Sequence, residues 1–285
     1  LRSISKLSLL FLLLTSAGYS ASTSAQTDDP LFASIRKAGE VKVALASLPP
    51  FMEVSPTGEA KGSVVEWQNQ VLKGMGLPPL KGVLTEWTAM IPGLLSHQYD
   101  YAGAGLNITE ASCKTVVFSR PTFAGQIGLF VLPGNPKHLT SIAELAHRPD
   151  IKVSVIRSSG QYEYLQKKEL KSEQITFVPD AQAGVATVTG GRVDAFIVGQ
   201  FTVTKPKEKG VEVIVDRNSP VYASGVAFRK ESVKFRDAFD KQYSILFENG
   251  FMRELVKKYM PDNGEEVLDL QSKFTKASDV VPSCE

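Results

Sequence analysis

From residue 38 onward, short apolar runs alternate with stretches in which apolar residues recur every three or four positions. Val41 to Ala46 and Tyr99 to Gly105 are runs of the first kind and predict strands. Between them Val64, Trp67, Val71 and Met75 share one helical face, and Met90, Ile91, Leu94 and Leu95 share another. Pro92 falls early enough in its helix to be tolerated. A second block repeats the alternation, with strands at Lys152 to Ile156, Ile175 to Val178, Val193 to Val198 and Val211 to Val215, and a helix over Gln182 to Thr189. This is the pattern of βαβ units, so the fold class is α/β.

Two interruptions divide the chain. Leu132-Pro133-Gly134-Asn135-Pro136 reads as a linker by composition, and Ser219-Pro220 precedes another apolar stretch, Val221 to Phe228. Beyond it come two helical stripes, Phe235, Ala238, Phe239, Tyr243, Leu246 and Phe247, then Phe251, Leu255 and Tyr259. Aromatic residues at that spacing predict a packed core rather than a cofactor box. The division that follows is a first lobe begun by residues 26–133, a second lobe of residues 134–220, and a return of residues 221–285 to the first lobe with C-terminal helices and a tail. Two strands crossing between the lobes would form a hinge.

Arg2 and Lys6 precede the apolar run Leu7 to Leu14, and small residues lead to Thr23-Ser24-Ala25 before the polar Gln26-Thr27-Asp28-Asp29. This predicts a cleavable signal peptide over residues 1–25, with Ala21 as the alternative cleavage position. The run is too short for a membrane anchor, which needs about 20 apolar residues, and no later run is long enough. No cysteine follows it as a lipid attachment point. The mature protein is therefore expected in an oxidising compartment, a bacterial periplasm. Formal charge is +2 over 285 residues, and Arg2 and Lys6 both lie in the leader, so the remainder balances at zero. A neutral chain does not favour nucleic acid or an anionic membrane as partner. A monomer is expected.

Signatures of common enzyme chemistry are missing: there is no Gly-rich phosphate loop, nucleophile elbow, His-Glu-x-x-His or paired-cysteine motif. His97, His138 and His147 have no metal-ligand spacing, and Gly125-Gln126-Ile127-Gly128 precedes no helix pattern, so no cofactor is expected. Polar segments instead are read at the carboxyl ends of the strands, where open α/β sheets hold ligands. They are Ser47-Leu48-Pro49-Pro50-Phe51, Thr85-Glu86-Trp87-Thr88, Gly105-Leu106-Asn107-Ile108-Thr109, Arg157-Ser158-Ser159-Gly160-Gln161 and Gly191-Arg192-Val193-Asp194-Ala195.

These segments resemble family 3 of the bacterial extracellular solute-binding proteins, over almost all of residues 38–262. The strongest part is the run from Asn107-Ile108-Thr109-Glu110 to Phe118-Ser119-Arg120-Pro121, supported by Glu86-Trp87-Thr88-Ala89-Met90-Ile91-Pro92-Gly93-Leu94 and Gly190-Gly191-Arg192-Val193-Asp194-Ala195. Within the family the chain is most similar to ectoine and hydroxyectoine binders, in Cys113, in the aromatic after Thr85-Glu86 and in Pro121-Thr122-Phe123. The resemblance implies the type II two-lobe periplasmic binding protein fold, closing on a solute. It also implies an ABC-transporter permease as membrane partner.

The chain departs from the family where amino-acid binders carry charge. Ser112 stands in place of the Arg that grips a substrate carboxylate, Gly199 in place of the Asp that takes the α-amino group, and Leu48 in place of an acidic or aromatic residue. Trp87 offers a ring face worth roughly 0.5 to 2 kcal/mol to a planar or cationic group, or it caps the core next to Met90. Gly105, Asn107 and Thr109 supply donors at a strand end, Thr109 alternatively capping the next helix. Ser112 retains a hydroxyl. Ser158, Ser159 and Gly160 form a small-residue turn suited to an anion, or an ordinary strand-to-helix connection. Arg157 is the cation beside that turn, or a solvated charge. Gln200 and Phe51 complete the set, Phe51 also fitting an inward-packed position. Cys113 and Cys284, the only cysteines, are expected to form a disulfide that pins the tail to the first lobe, with two free thiols as the alternative.

The reading that follows is a solute receptor, not an enzyme, that captures a small polar or cyclic solute, ectoine-like or amino-acid-derived. One alternative is an enzyme of the cyclic-carboxylate dehydratase kind on the same fold, which would need a carboxylate acid in the cleft. Another is the sensing module of a membrane receptor, which would need a spanning helix.

Overall fold

The computed structural model describes residues 29–157 and 159–284; the expected signal peptide and Ser158 lie outside the described residues. The chain builds two main sheets. In the first the strand order is Leu80–Leu84, Val41–Leu45, Tyr101–Asn107, Tyr222–Phe228 and Val117–Phe118, with Phe123–Gly125 also paired to Tyr222–Phe228. In the second it is Ile175–Val178, Val153–Ile156, Ala195–Gly199, Ile127–Val131 and Glu212–Val215. Both are made the same way. Three parallel strands take an antiparallel neighbour from chain arriving out of the other lobe: Tyr222–Phe228 against Tyr101–Asn107, and Ile127–Val131 against Ala195–Gly199.

A duplicated device sets the start of each parallel pair. Asp100 Oδ2 accepts the Lys42 N–H at 2.7 Å, and Asp194 Oδ2 accepts the Lys152 N–H at 2.8 Å. Each aspartate thus pins the first turn of chain into the neighbouring strand. This corrects one expectation: Gly191 to Ala195 lies at the amino end of Ala195–Gly199, opposite the ligand edge of the second sheet.

Apolar periodicity decides where the helices pack. Helix Ser63–Gly74 buries Val65, Trp67, Gln68, Val71 and Leu72, and helix Val233–Glu248 buries Phe235, Phe239, Tyr243 and Leu246. The two faces meet, with the Trp67 ring 4.6 Å from Tyr243 and 5.9 Å from Phe239, and Tyr101 and Phe228 of the first sheet close the cluster. The C-terminal helices therefore pack on the first sheet. In the second lobe Ile142, Leu145 and Leu165 cover one face of the sheet and Val185 and Val188 the other. Cover on both faces is why its strands read as nearly continuous apolar runs.

The boundary expected at 133/134 is displaced. Ile127–Val131 is buried throughout and paired on both sides, with Ala195–Gly199 and Glu212–Val215, so it is interior to the second sheet. The first crossing lies at residues 125–127, and Pro133 to Pro136 forms a turn held by Asn135, whose side chain pairs both ways with Leu139. Composition identified a turn correctly, but a turn is not a lobe boundary. The second crossing runs through residues 216–221. The crossings are bound together: Gln126 Nε2 donates to the carbonyls of Arg217 and Ser219, and Ser219 Oγ accepts the Ile127 N–H.

Helix Gly264–Ser272 was not anticipated from periodicity; it buries Val267, Leu268 and Gln271. Among the described residues no helix is long and apolar enough to cross a membrane.

Asp240 is an acid under the first lobe's surface. One oxygen accepts the Arg120 N–H at 2.9 Å while the other, buried, has no hydrogen-bond partner, and burial pushes the carboxyl up to about 7. Its folded value stands above the unfolded value of about 3.9. The folded state therefore holds this proton more tightly, so the stabilisation is full below about 4 and is lost as pH rises through about 7. The expected outcome is a stability that falls by up to about 1.4 kcal/mol per pH unit across that window from this group. Asp240→Asn should flatten the slope in denaturant titrations at pH 5 to 8; an unchanged slope would assign it elsewhere.

Candidate ligand site

A cavity of about 310 Å³ lies between the lobes. The strand ends Gly105 and Asn107, the loops carrying Phe51 and Trp87, and Tyr222 bring the first-lobe wall. Gln161, Val198, Gly199, Phe201 and Thr202 bring the second. Its depth comes from Trp67, Met252, Leu255 and Tyr259 on first-lobe helices. A smaller cavity of about 210 Å³ adjoins it, sharing Asn107, Gln161 and Tyr222 and lined also by Gly160, Glu163 and Lys167.

Backbone geometry makes the wall possible at two glycines. Gly62 has φ +114°, and a Cβ there would overlap the Phe51 carbonyl oxygen. Its absence lets the start of helix Ser63–Gly74 approach that loop, where Val64 N donates to the Phe51 carbonyl at 2.9 Å. Gly199 serves the same end across the cleft, since a Cβ there would overlap the Tyr222 hydroxyl. Tyr222 thus fills the space into which a side chain at 199 would project.

Of the residues expected from sequence, Phe51, Trp87, Gly105 and Asn107 meet in the larger cavity and Gly160 lines the smaller. Trp87 is 44% exposed while its neighbour Met90 is fully buried, so Met90 and not Trp87 closes the core at this point. The others are committed elsewhere. Thr109 and Ser112 form a reciprocal capping box on helix Glu110–Cys113, and the Ser112 hydroxyl also lies 3.2 Å from the Asn107 carbonyl. Neither lines the two cavities between the lobes; they hold the strand end that presents Asn107. Ser159 caps helix Gly160–Lys167, accepting from Tyr162 N and donating to the Ile156 carbonyl. The Arg157 guanidinium lies over the Phe177 ring at 3.6 Å, a stacked position, and lines neither of the two cavities. Gln200 is buried beside the hinge, where its Oε1 accepts the Gln126 N–H at 2.8 Å and its Nε2 donates to Glu266 at 3.1 Å. It joins the second lobe to helix Gly264–Ser272.

Sequence reasoning missed Tyr222, Tyr259 and the deep wall of Met252 and Leu255, and placed Gln161 within a strand-end segment without singling it out. The stripe of helix Phe251–Tyr259 reads as core because it is apolar, and an apolar cavity wall has the same pattern. Tyr222 was hidden in a strand, although two glycines close to it, Gly125 and Gly199, are a signal of a bulky neighbour: a Cβ at either would collide with its hydroxyl.

Electrostatically the larger cavity is neutral. Among the described residues no Asp, Glu, Lys, Arg or His lines it. Glu66, one turn beyond Ser63, is engaged by Lys258 Nζ at 2.8 Å and by the Tyr259 hydroxyl at 2.6 Å. Burial alone would raise this carboxyl, but those two hydrogen bonds outweigh it and hold it below its ordinary range. Burial pushes the Tyr222 phenol well above its ordinary value, so it acts as a neutral donor and acceptor. The hydroxyl has no hydrogen-bond partner among the described residues. No group of three or more metal-ligating side chains occurs among the described residues.

At the end of helix Glu110–Cys113, Cys113 is bridged to Cys284, with Cα atoms 5.3 Å apart. The bridge fixes the tail to helix Glu110–Cys113, as expected.

Known proteins share this architecture. The family model for the bacterial extracellular solute-binding proteins, family 3, matches residues 41–262. A probable amino-acid ABC transporter periplasmic-binding protein of Sinorhizobium fredii is 26% identical over 255 residues, covering 85% of this chain and 83% of that protein. An arginine-binding periplasmic protein of Mannheimia haemolytica is 26% identical over 231 residues, covering 79% and 92%. The crystal structure of EhuB in complex with hydroxyectoine superposes with a TM-score of 0.69 at 26% identity, covering 88% of this chain and 97% of that one. Two lobes, two crossings and a cavity between them, together with a match over most of its length, place the chain in family 3 of the bacterial extracellular solute-binding proteins.

Proposed function

We propose that the chain is the periplasmic receptor of an ABC importer and works as a monomer, trapping a small cyclic or ring-bearing solute whose positive charge is delocalised, shielded or absent. The carrying observation is the neutral lining of the larger cavity. A localised ammonium or carboxylate enclosed there would lack a charged partner, at a cost of several kcal/mol. The names of the relatives support the transport role, and the hydroxyectoine in EhuB supports a cyclic solute. A dehydratase reading receives no support from the larger cavity, which presents no carboxylic acid to act as the proton donor. Closure at the paired crossings is driven only by a solute that binds the closed form better than the open one.

The test is a thermal-shift panel of ectoine, hydroxyectoine, betaines, amino acids, opine-like conjugates and small aromatic acids. A true ligand at about 100 times its dissociation constant adds about 2.7 kcal/mol of stability. With the hit in hand, Trp87→Ala should weaken binding by about 1 to 3 kcal/mol through lost stacking and apolar burial while the unliganded protein melts as before. Unchanged affinity would remove Trp87 from the site, and a panel with no hit beyond ordinary amino acids would overturn the proposed ligand chemistry.

A further inference from the structure

Resting on that receptor role, we infer that the solute is amphipathic, with an apolar, ring-sized group in the inner compartment and a hydrogen-bonding head at the neck and in the outer one. The two cavities are not equivalent. The inner one runs behind the strand ends into the first lobe, where Trp67, Met252, Leu255 and Val256 are all at least nine-tenths buried. An apolar cavity of about 150 Å³ already accepts benzene, so a space of about 310 Å³ has room for a ring and its substituents. Ser63, Thr122, Thr202, Ser224 and Gln271 also line this cavity, but at the wall made by Met252, Leu255 and Val256 a uniformly polar solute would turn hydrogen-bonding groups toward a thioether and branched alkyl chains, which replace none of its contacts with water.

Polarity rises toward the outside. Asn107, Gln161 and Tyr222 are common to both cavities and so form the neck between them. The Tyr222 hydroxyl is free to bond there, being without a partner among the described residues. Beyond the neck the outer cavity, about 210 Å³, has Glu163 and Lys167 on one face of helix Gly160–Lys167. Charge of both signs is therefore available only at the outer end. A molecule polar throughout leaves the Trp67, Met252, Leu255 and Val256 wall of the inner compartment unmatched, and one apolar throughout leaves Glu163 and Lys167 of the outer one unmatched.

Trp67 and Trp87 are the only tryptophans and both line the inner cavity, so intrinsic fluorescence reports its occupancy. The probes are primary amides with one head and growing apolar parts: acetamide, butanamide, hexanamide, phenylacetamide and 3-phenylpropanamide. Affinity should climb by roughly fourfold per added methylene, the equivalent of about 0.8 kcal/mol, until the inner cavity is full. Tyr222→Phe should weaken every binding member by a similar factor of about 3 to 10, the loss of one hydrogen bond. Ala104, which also lines the inner cavity, gives the steric test: Ala104→Leu should abolish the gain beyond butanamide. Met252→Ala, which does not depend on that variant folding, should move the optimum to longer members. Affinity flat along the series, or no binding of any member at about 10 mM, would overturn the inference. Tight binding of hydroxyectoine that Ala104→Leu leaves unchanged would overturn the amphipathic class while leaving the receptor role standing. Tight binding of a free α-amino acid would instead overturn the neutral-solute reading itself.

Discussion

Replacing both Cys113 and Cys284 with Ser is expected to lower unfolding stability by about 2 to 5 kcal/mol. The bridge closes a loop spanning 171 residues, and in the chain-entropy account a loop of that length restricts the unfolded chain by about 5 kcal/mol. Domains of this kind have only about 5 to 15 kcal/mol in all, so the loss is a large share. The tail would not detach outright in the variant. Ala277 and residue 284 are 2% exposed, and Val280 and Val281 pack on the first-lobe core, so apolar contact continues to hold it. Ligand affinity at 25 °C should stay close to that of the parent, because the Thr109–Ser112 capping box that supports Asn107 does not involve either sulfur. Urea titration of the oxidised parent, the reduced parent and the double variant measures this. Equal midpoints for all three, or two alkylated cysteines in non-reducing mass measurements, would show that the bridge does not constrain the protein.

Much of the fold is legible in period and run length, and the exceptions have definite causes. Ile175–Val178 emerges where its four β-favouring residues predict it, and the stripe Phe235, Phe239, Tyr243 lands on Trp67 because an apolar face of that width has to be covered. Ile127–Val131 went to the wrong lobe because a strand's composition says that it is buried and not which sheet buries it. Helix Gly264–Ser272 escaped because it opens on Gly264-Glu265-Glu266 and carries too few apolar residues to show a period. At the site, residues at strand ends such as Gly105 and Asn107 were accessible to reasoning, since topology puts those ends at the cleft. Arg157 and Gln200 sit at equally suitable ends, but Phe177 takes the one and Gln126 with Glu266 take the other. Those partners are distant in sequence and become visible only in three dimensions.

The standard α-amino acids are expected to bind with millimolar dissociation constants or weaker, about 4 kcal/mol or less. Each brings a carboxylate and an ammonium, and enclosing both costs several kcal/mol apiece unless opposite charges or full hydrogen bonding replace the water. Ser112, at the carboxylate-gripping position, spends its hydroxyl on a capping box outside the cavity. Arg157 lies over Phe177, Glu66 is already shared by Lys258 and Tyr259, and Glu163 and Lys167 line only the outer cavity, beyond the neck and outside the enclosed inner space. At 199, where an aspartate would receive the ammonium, the Tyr222 hydroxyl occupies the side-chain space. This last point separates a missing charge from an excluded one. Gly199→Asp alone should not create an amino-acid site, because its Cβ would collide with Tyr222 before the carboxylate reached the cavity. Gly199→Asp combined with Tyr222→Ala vacates that space, and the double variant should gain affinity for cationic solutes such as phenethylamine relative to the parent by about tenfold or more, as one enclosed ion pair supplies at least about 1.5 kcal/mol. Calorimetry on parent, single and double variants decides the matter. A micromolar constant, about 8 kcal/mol, for any free amino acid with the parent protein would mean that another group in the cleft carries the charge which the lining at 112 and 199 lacks.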